Sequence, residues 1–157
     1  MLPQIYVETS IISYLTGRVT RNLVVTAHQQ VTRTWWNLQR HGYELFVSQL
    51  VLQEAGAGNP SMAKQRLDSL RGISVLGITQ EAVRLAEGLM QVKSLPTKAR
   101  VDALHIGTAA VHGMEYLLTW NCKHIANART RSRIEGVCRD SGYEPPIMCT
   151  PEELTED

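Results

Sequence analysis

Long hydrophobic runs and paired cysteines are both missing from this chain of 157 residues. No apolar run approaches the roughly 20 residues that are needed to cross a bilayer. The first residues lack the basic start of a secretory signal, and Glu8 interrupts the apolar run that such a signal requires. The three cysteines form no Cys-x-x-Cys pair, which argues against a disulfide framework and against a structural zinc site. We therefore expect a cytoplasmic protein with no membrane partner.

Acidic residues are also absent from one long stretch, between Glu8 and Glu44, where four arginines occur: Arg18, Arg21, Arg33 and Arg40. A second basic cluster lies between residues 123 and 139. The net charge is only +1, partly because residues 151–157 hold four acids and no base. Basic stretches suit an anionic substrate such as a nucleic-acid backbone, although solvated helix faces explain either cluster equally well.

The composition is that of an ordinary globular protein, with 43% hydrophobic and 20% charged residues. Its length favours one domain with a single core. We place that domain at residues 1–150 and interpret residues 151–157 as a short acidic C-terminal tail.

Strand-like segments alternate with helical ones along the whole chain. The predicted strands are residues 4–8, 44–48, 73–77, 116–119 and 146–149. The predicted helices are residues 9–15, 22–40, 49–55, 61–70, 80–92, 101–112, 125–128 and 130–140. Strands separated by helix-length segments pair in parallel through crossovers. The sequence therefore predicts a three-layer α/β/α sandwich with a central parallel five-stranded sheet.

Four polar residues fall near predicted strand ends or helix starts, where an α/β sheet opens its ligand crevice. Glu8 closes the first strand and Asn121 follows the fourth, so they are neighbours if those strands are adjacent. Glu54 enters from the helix after the second strand, and Asp102 from the first turn of a later helix. A carboxylate half-buried at a strand end is costly unless something positive meets it there, so the pattern indicates a cation site.

Each of the four residues also has a simpler explanation when it is considered alone. Asp102 in a first helical turn favours the helix dipole, Glu54 is compatible with an exposed helix surface, and Asn121 is a common turn residue. Glu8 is the hardest to explain in this way, because an apolar strand end seldom carries a bare acid.

Three histidines require separate interpretation. His105 follows Asp102 by one helical turn and His112 lies two turns further, which resembles a metal-ligand stripe. No third imidazole or cysteine has suitable spacing, so we favour a packed histidine. His124, beside Lys123, is placed either to contact phosphate or to occupy a surface turn.

Three segments together resemble a PIN domain, in the bacterial branch related to VapC-type toxins. They are residues 6–15 (YVETSIISYL), 102–109 (DALHIGTA) and 116–121 (YLLTWN). The resemblance implies a small α/β sandwich that binds Mg²⁺ or Mn²⁺ with clustered acids and hydrolyses RNA phosphodiester bonds.

The residue roles that the resemblance implies fall on seven positions. Glu8, Glu54 and Asp102 would be metal ligands, and together with Asn121 they would form the catalytic set. Thr9, Ser10 and Thr119 would orient the acids. Glu8 stands where the family more often has aspartate, and Asn121 is neutral, so the cluster carries three formal negative charges.

The expected function is therefore a metal-dependent endoribonuclease, acting as the toxin of a type II toxin–antitoxin pair. Its expected partners are RNA, an antitoxin protein and an identical subunit. The alternative is a catalytically weak PIN-like module that binds RNA or protein, which Glu8 and Asn121 motivate. A haloacid-dehalogenase-like phosphatase would need an Asp-x-Asp pair after the first strand, and residues 8–10 (ETS) do not supply it.

Overall fold

A central parallel sheet organises the chain, which a computed structural model describes over residues 1–91, 96 and 99–156. Within these residues the strands are β1 (Gln4–Val7), β2 (Glu44–Ser48), β3 (Ser74–Leu76), β4 (Tyr116–Leu118) and β5 (Ile147–Cys149). The α-helices are α1 (Thr9–Thr16), α2 (Leu23–Leu38), α3 (Gln49–Ala55), α4 (Pro60–Ser69), α5 (Gln80–Gln91), α6 (Arg100–Val111) and α7 (Arg131–Asp140). Short 3-10 helices occupy Arg40–Gly42 and Pro151–Leu154.

The strand order is β3-β2-β1-β4-β5, and all four pairings are parallel. This confirms the predicted α/β class and the five-stranded parallel sheet. The chain builds outward from β1 to β3, then crosses back to β4 on the other side of β1. Strand order therefore reverses between β1 and β4, which is where sheets of this kind bind ligands.

Helices cover both faces of the sheet, as right-handed crossovers require. Helices α1 to α4 contact one another in the first half of the chain, whereas α5, α6 and α7 pack together in the second half. Strands β1 and β4 lie in the middle of this sandwich. Ile5, Tyr6, Val7, Leu117 and Leu118 are fully buried, which explains why these strands are continuously apolar rather than alternating.

Two helices begin at residues whose side chains cap the first turn, and the sequence predicts both caps. The Ser48 hydroxyl accepts from the Val51 amide at 3.4 Å, and α3 has the predicted bounds. The Asn59 side chain accepts from the Met62 amide at 3.1 Å at the start of α4. Helix α6 ends before Gly113, whose φ of 72° an L side chain rarely adopts.

Two predicted elements differ in ways that matter for the site. Strand β1 ends at Val7, because Glu8 leaves the strand and caps α1 with its own carboxylate. The helix predicted at residues 125–128 is wrong, since that segment forms turns. There the side-chain Nδ2 of Asn127 donates to the backbone carbonyls of Cys122 and Lys123. These side-chain hydrogen bonds compete with those of a helical backbone.

The remaining boundaries shift by one to a few residues. Arg40, predicted within the long second helix, belongs instead to the 3-10 helix that follows α2. The predicted end of the fifth helix at Val92 lies outside the described residues.

The acidic tail begins as an ordered part of the domain. Pro151 is buried, and the Trp35 indole nitrogen of α2 donates to the Leu154 carbonyl at 3.1 Å. Glu153 completes a capping box with Thr150. Among the described helices, none has both the length and the apolar character to cross a bilayer.

Helix α6, which carries Asp102 and His105, depends on a close approach to α5 at Gly107. A methyl group built on Gly107 would lie 2.6 Å from the Ala82 carbonyl oxygen. We predict that Gly107→Ala lowers the free energy of unfolding by about 1–3 kcal/mol through overpacking. Urea denaturation measures this change. The matched control is Gly136→Ala in α7, where a methyl group meets nothing within 4 Å. It should leave stability unchanged or raise it by up to about 1 kcal/mol, and equal losses in both variants would contradict the prediction.

Candidate metal centre

Glu8 is held at the end of β1 by three hydrogen-bond donors. Its Oε2 accepts from the Ser10 amide at 3.0 Å. Its Oε1 accepts from the hydroxyls of Ser10 and Thr119, each at 2.5 Å. The residue is only 5% exposed, so these donors replace most of the water that a free carboxylate would bind.

The two hydroxyls are themselves oriented by the backbone that follows β4. The Trp120 amide donates to the Ser10 hydroxyl at 2.8 Å, and the Asn121 amide donates to the Thr119 hydroxyl at 2.9 Å. A hydroxyl has one proton to give. Because each oxygen accepts from an amide, each proton is directed at Glu8.

Glu54 projects from α3 and carries both of its hydrogen bonds on one oxygen. Its Oε1 accepts from the Thr9 hydroxyl at 2.7 Å and lies 2.6 Å from His105 Nε2. Burial alone would raise the pKa of Glu54, but the hydrogen bonds from His105 and Thr9 and the electrostatic attraction of the His105 ring outweigh burial and hold this pKa below its usual value. The lowered pKa keeps the carboxylate ionised, and the 37% exposure of the side chain leaves it accessible.

His105 is fully buried beneath this carboxylate. Its Nδ1 lies 2.6 Å from the Tyr6 hydroxyl, which lies 2.7 Å from the Ser48 hydroxyl. The sequence predicts a packed histidine here but not its contact with Glu54. A signal existed: Tyr6 and Glu8 occupy alternate positions at the end of β1, and so tend to share a face, while His105 lies one turn after Asp102.

Asp102 belongs to a second group of contacts. Its Oδ2 lies 2.9 Å from His124 Nδ1, in the turn after β4. The Asn121 side-chain oxygen accepts from the His124 amide at 2.9 Å, so Asn121 shapes the turn that presents His124. His124 Nε2 is buried without a hydrogen-bond partner among the described residues.

The structure therefore brings Glu8 and Glu54 together and places His105 with them. One potential ligand atom from each of these three residues lies within 4.8 Å of the other two. Asp102 is outside this group, in contact with His124. Throughout the described chain, the ion pairs formed by lysine and arginine involve Asp68, Glu135 and Glu144 rather than these acids.

These residues fit a hard divalent cation. Two carboxylates converge without a lysine or arginine to neutralise them, and oxygen donors suit Mg²⁺ and Mn²⁺. Glu54 Oε2 accepts no hydrogen bond from the described residues, which leaves it available to an ion. An imidazole ligand would be unusual for Mg²⁺.

Three solved structures have a similar fold over most of this chain. VapBC2 from Rickettsia felis, bound to a DNA fragment from its promoter, aligns with a TM-score of 0.60 and 15% identity over 94% of this chain and 98% of that one. A toxin–antitoxin complex from Klebsiella pneumoniae has a TM-score of 0.56 and 20% identity, over 80% of this chain and 93% of the other. Mycobacterium tuberculosis VapC20, a Sarcin-Ricin loop cleaving toxin, has a TM-score of 0.50 and 17% identity, over 72% and 86%.

No known family model and no curated protein sequence matches the chain. At these identities the structural likeness shows the fold, and it confirms the PIN-like architecture that the sequence predicted. Function must be argued from the site itself.

The hydroxyl of Thr119 links Glu8 to β4, and its removal should be measurable as lost stability. Thr119→Val keeps the buried shape but removes one donor to Glu8 and the acceptor of the Asn121 amide. We expect the free energy of unfolding to fall by about 2 kcal/mol. Thr119→Ser, which keeps the hydroxyl, should lose about 1 kcal/mol or less. Denaturant unfolding in EDTA compares the two, and equal losses would show that the hydroxyl has no structural role.

The lowered pKa of Glu54 should make its contribution to stability depend on pH. A carboxylate whose pKa is depressed on folding stabilises the protein above its unfolded value, here 4.5, and this contribution is lost as pH falls through the folded value. The difference in unfolding free energy between wild type and Glu54→Gln should therefore shrink below that pH, in metal-free buffer. The exposed Glu87→Gln serves as the control variant. If the difference in unfolding free energy between wild type and Glu54→Gln stays constant as pH falls below 4.5, the lowered pKa of Glu54 is contradicted.

Proposed function

We propose that the chain is a metal-dependent endoribonuclease that binds Mg²⁺ or Mn²⁺ and hydrolyses RNA phosphodiester bonds. The observation that carries the proposal is the convergence of Glu8 and Glu54 at the switch point of the sheet, with no lysine or arginine paired to either within the described residues. A divalent ion bound there would supply an activated water and neutralise charge on the phosphate.

The residues of the site have distinct roles in this proposal. Glu8 and Glu54 are the primary metal ligands, and Asp102 of α6, which contacts His124 and lies outside that group, is the proposed third ligand. Ser10 and Thr119 hold Glu8, while Thr9 holds Glu54, through the hydrogen bonds described above.

Asn121 has a role in the turn after β4. Its side-chain oxygen orders this turn around His124, which leaves its amide nitrogen to contact a water or the substrate phosphate. Asn121 would therefore act beside the acids rather than as a metal ligand.

RNA is the proposed substrate because an exposed cation lies in the turn that follows β4, next to the acids. Arg18 follows α1, and Lys123 lies next to His124 in the turn after β4; both are exposed. Arg33 is not available in the same way, because it donates to the carbonyls of Leu15 and Gly17. The Arg18 guanidinium is exposed but donates from Nε to the Met62 sulfur at 3.2 Å.

We further propose a cytoplasmic toxin that is inhibited by an antitoxin protein and forms a homodimer. The toxin–antitoxin assemblies among the structures of similar fold support this proposal. Exposed apolar side chains at the start of α2 and just before it, Val19, Leu23 and Val24, offer a surface for a protein partner.

Cleavage of single-stranded RNA tests the proposed activity. Wild type should cleave in Mn²⁺ or Mg²⁺ and lose activity in EDTA, and Glu8→Gln should reduce the rate by about 100-fold or more, because a metal contributes several kcal/mol to the transition state. Asp68→Asn is the control, since Asp68 is a surface acid paired with Lys64 and Arg71. It should retain the wild-type rate.

Cleavage that persists undiminished in Glu8→Gln would point to a contaminating nuclease and refute the proposal. Absence of cleavage by wild type in both metals would refute it for the RNA tested.

One observation favours the second candidate, a catalytically weak RNA-binding module. Glu8 already accepts three hydrogen bonds and Asp102 is engaged by His124, so both carboxylates have partners without an ion. A module of this kind would bind labelled RNA equally well in Mn²⁺ and in EDTA, as fluorescence anisotropy would measure, and would cleave it in neither.

A further inference from the structure

We infer that His105 is a positioning residue, whose Nε2–H donates to Glu54 and fixes the orientation of that carboxylate, and that it is not a ligand of the metal. One ring nitrogen of His105 lies within 4.8 Å of ligand oxygens of Glu8 and Glu54, which is equally compatible with direct coordination. The hydrogen bonds behind the ring decide between these roles. The effect of His105 on RNA cleavage rests on the proposed function, whereas the hydrogen bond between His105 and Glu54 does not.

The direction of the hydrogen bonds follows from counting protons along the chain Ser48–Tyr6–His105–Glu54. The Val51 amide donates to the Ser48 hydroxyl, so the Ser48 proton is free to be given to Tyr6. The Tyr6 phenol also has one proton to give. With Ser48 donating to its oxygen, Tyr6 donates to His105 Nδ1.

The ring then has its Nδ1 lone pair occupied and its proton on Nε2. In the opposite direction Nδ1 would donate to Tyr6, and Tyr6 to Ser48. The Ser48 proton would then have no acceptor among the described contacts. A neutral ring would also present the bare Nε2 lone pair to a carboxylate oxygen 2.6 Å away. That oxygen already accepts from Thr9, which marks it as an acceptor.

Burial explains why this arrangement fixes Glu54. His105, Tyr6 and Ser48 are all 0% exposed, so each proton has a single available partner and the ring is held by packing. Glu54 is 37% exposed on a helix of seven residues, and its three side-chain torsions are otherwise free in water. Two donors on Oε1 leave Oε2 as the oxygen presented to an ion.

The first experiment uses wild-type protein without metal. Long-range ¹H–¹⁵N correlation spectra of the histidine rings, assigned with His105→Gln, report which ring nitrogens carry protons. We expect a proton on His105 Nε2. An unprotonated Nε2 would overturn the inference, whether or not the protein is a nuclease.

The second experiment compares two substitutions at the same position by Mn²⁺ calorimetry. His105→Gln supplies an amide N–H donor to Glu54 but no ring nitrogen to bind a metal, whereas His105→Leu supplies neither. The glutamine variant should bind Mn²⁺ within about threefold of wild type. The leucine variant should bind about 10- to 100-fold more weakly, the usual cost of losing a group that orients a ligand. In RNA cleavage, glutamine should likewise restore kcat relative to leucine.

Equal weakening of Mn²⁺ binding in both variants would identify His105 as a ligand and overturn the inference. Full affinity in the leucine variant would also overturn it.

The variant Tyr6→Phe provides a second test if His105→Leu fails to fold, because it removes only the hydroxyl that donates to Nδ1. We expect the proton to stay on Nε2, where the Glu54 carboxylate accepts it, and Mn²⁺ binding to weaken because the ring loses the hydrogen bond that fixes it. Unchanged Mn²⁺ affinity in Tyr6→Phe would contradict the inference. Absence of Mn²⁺ binding by wild type would refute the proposed metal site instead, and the ring spectra would still decide the hydrogen bond.

Discussion

The parallel pairing of β1 with β4 is the constraint on which the site depends. The backbone hydrogen bonds between the two strands continue one residue past β1, where the Glu8 amide donates to the Leu118 carbonyl at 3.0 Å. That register sets Thr119 beside Glu8 and brings the backbone after β4 within reach of Ser10. Neither strand could carry the site alone, since β1 supplies the acid and β4 supplies the amides that orient its donors. The reversal of strand order creates the crevice, and this pairing determines which side chains line it.

Neutral donors, rather than cations, satisfy the acids that meet at this edge. Hydroxyls and a backbone amide contact Glu8, while a hydroxyl and an imidazole contact Glu54. A lysine or arginine would have cancelled the charge, whereas these groups orient each carboxylate and leave most of its charge in place. Acids that crowd together without compensation disfavour ionisation of one another. A site built in this way gains most from a divalent ion, which supplies the missing positive charge.

Local rules in the sequence determined much of the fold, but the contacts of the site depended on long-range geometry. The spacing of strands and helices predicted the parallel sheet, and Ser48 and Asn59 marked helix starts through their own side chains. The helix predicted at residues 125–128 is wrong because the Asn127 side chain bonds back to the preceding backbone, which helical periodicity does not reveal. The contact between His105 and Glu54 joins residues 51 positions apart, and only the packing of α6 against the sheet brings them together.

The buried polar chain from Ser48 to Glu54 also bears on why the centre of the sheet is not wholly apolar. Tyr6 and His105 lie in the core, where two hydrophobic residues of similar shape would serve stability equally well or better. A fully satisfied polar network in such a place specifies one arrangement of its members, and a break in it leaves a buried group without a partner. The end of this network is a half-exposed carboxylate at the ligand crevice rather than another core residue. The network therefore holds the His105 ring against Glu54 and orients that carboxylate. In this way the packing of the sheet determines the geometry of the acids at its edge.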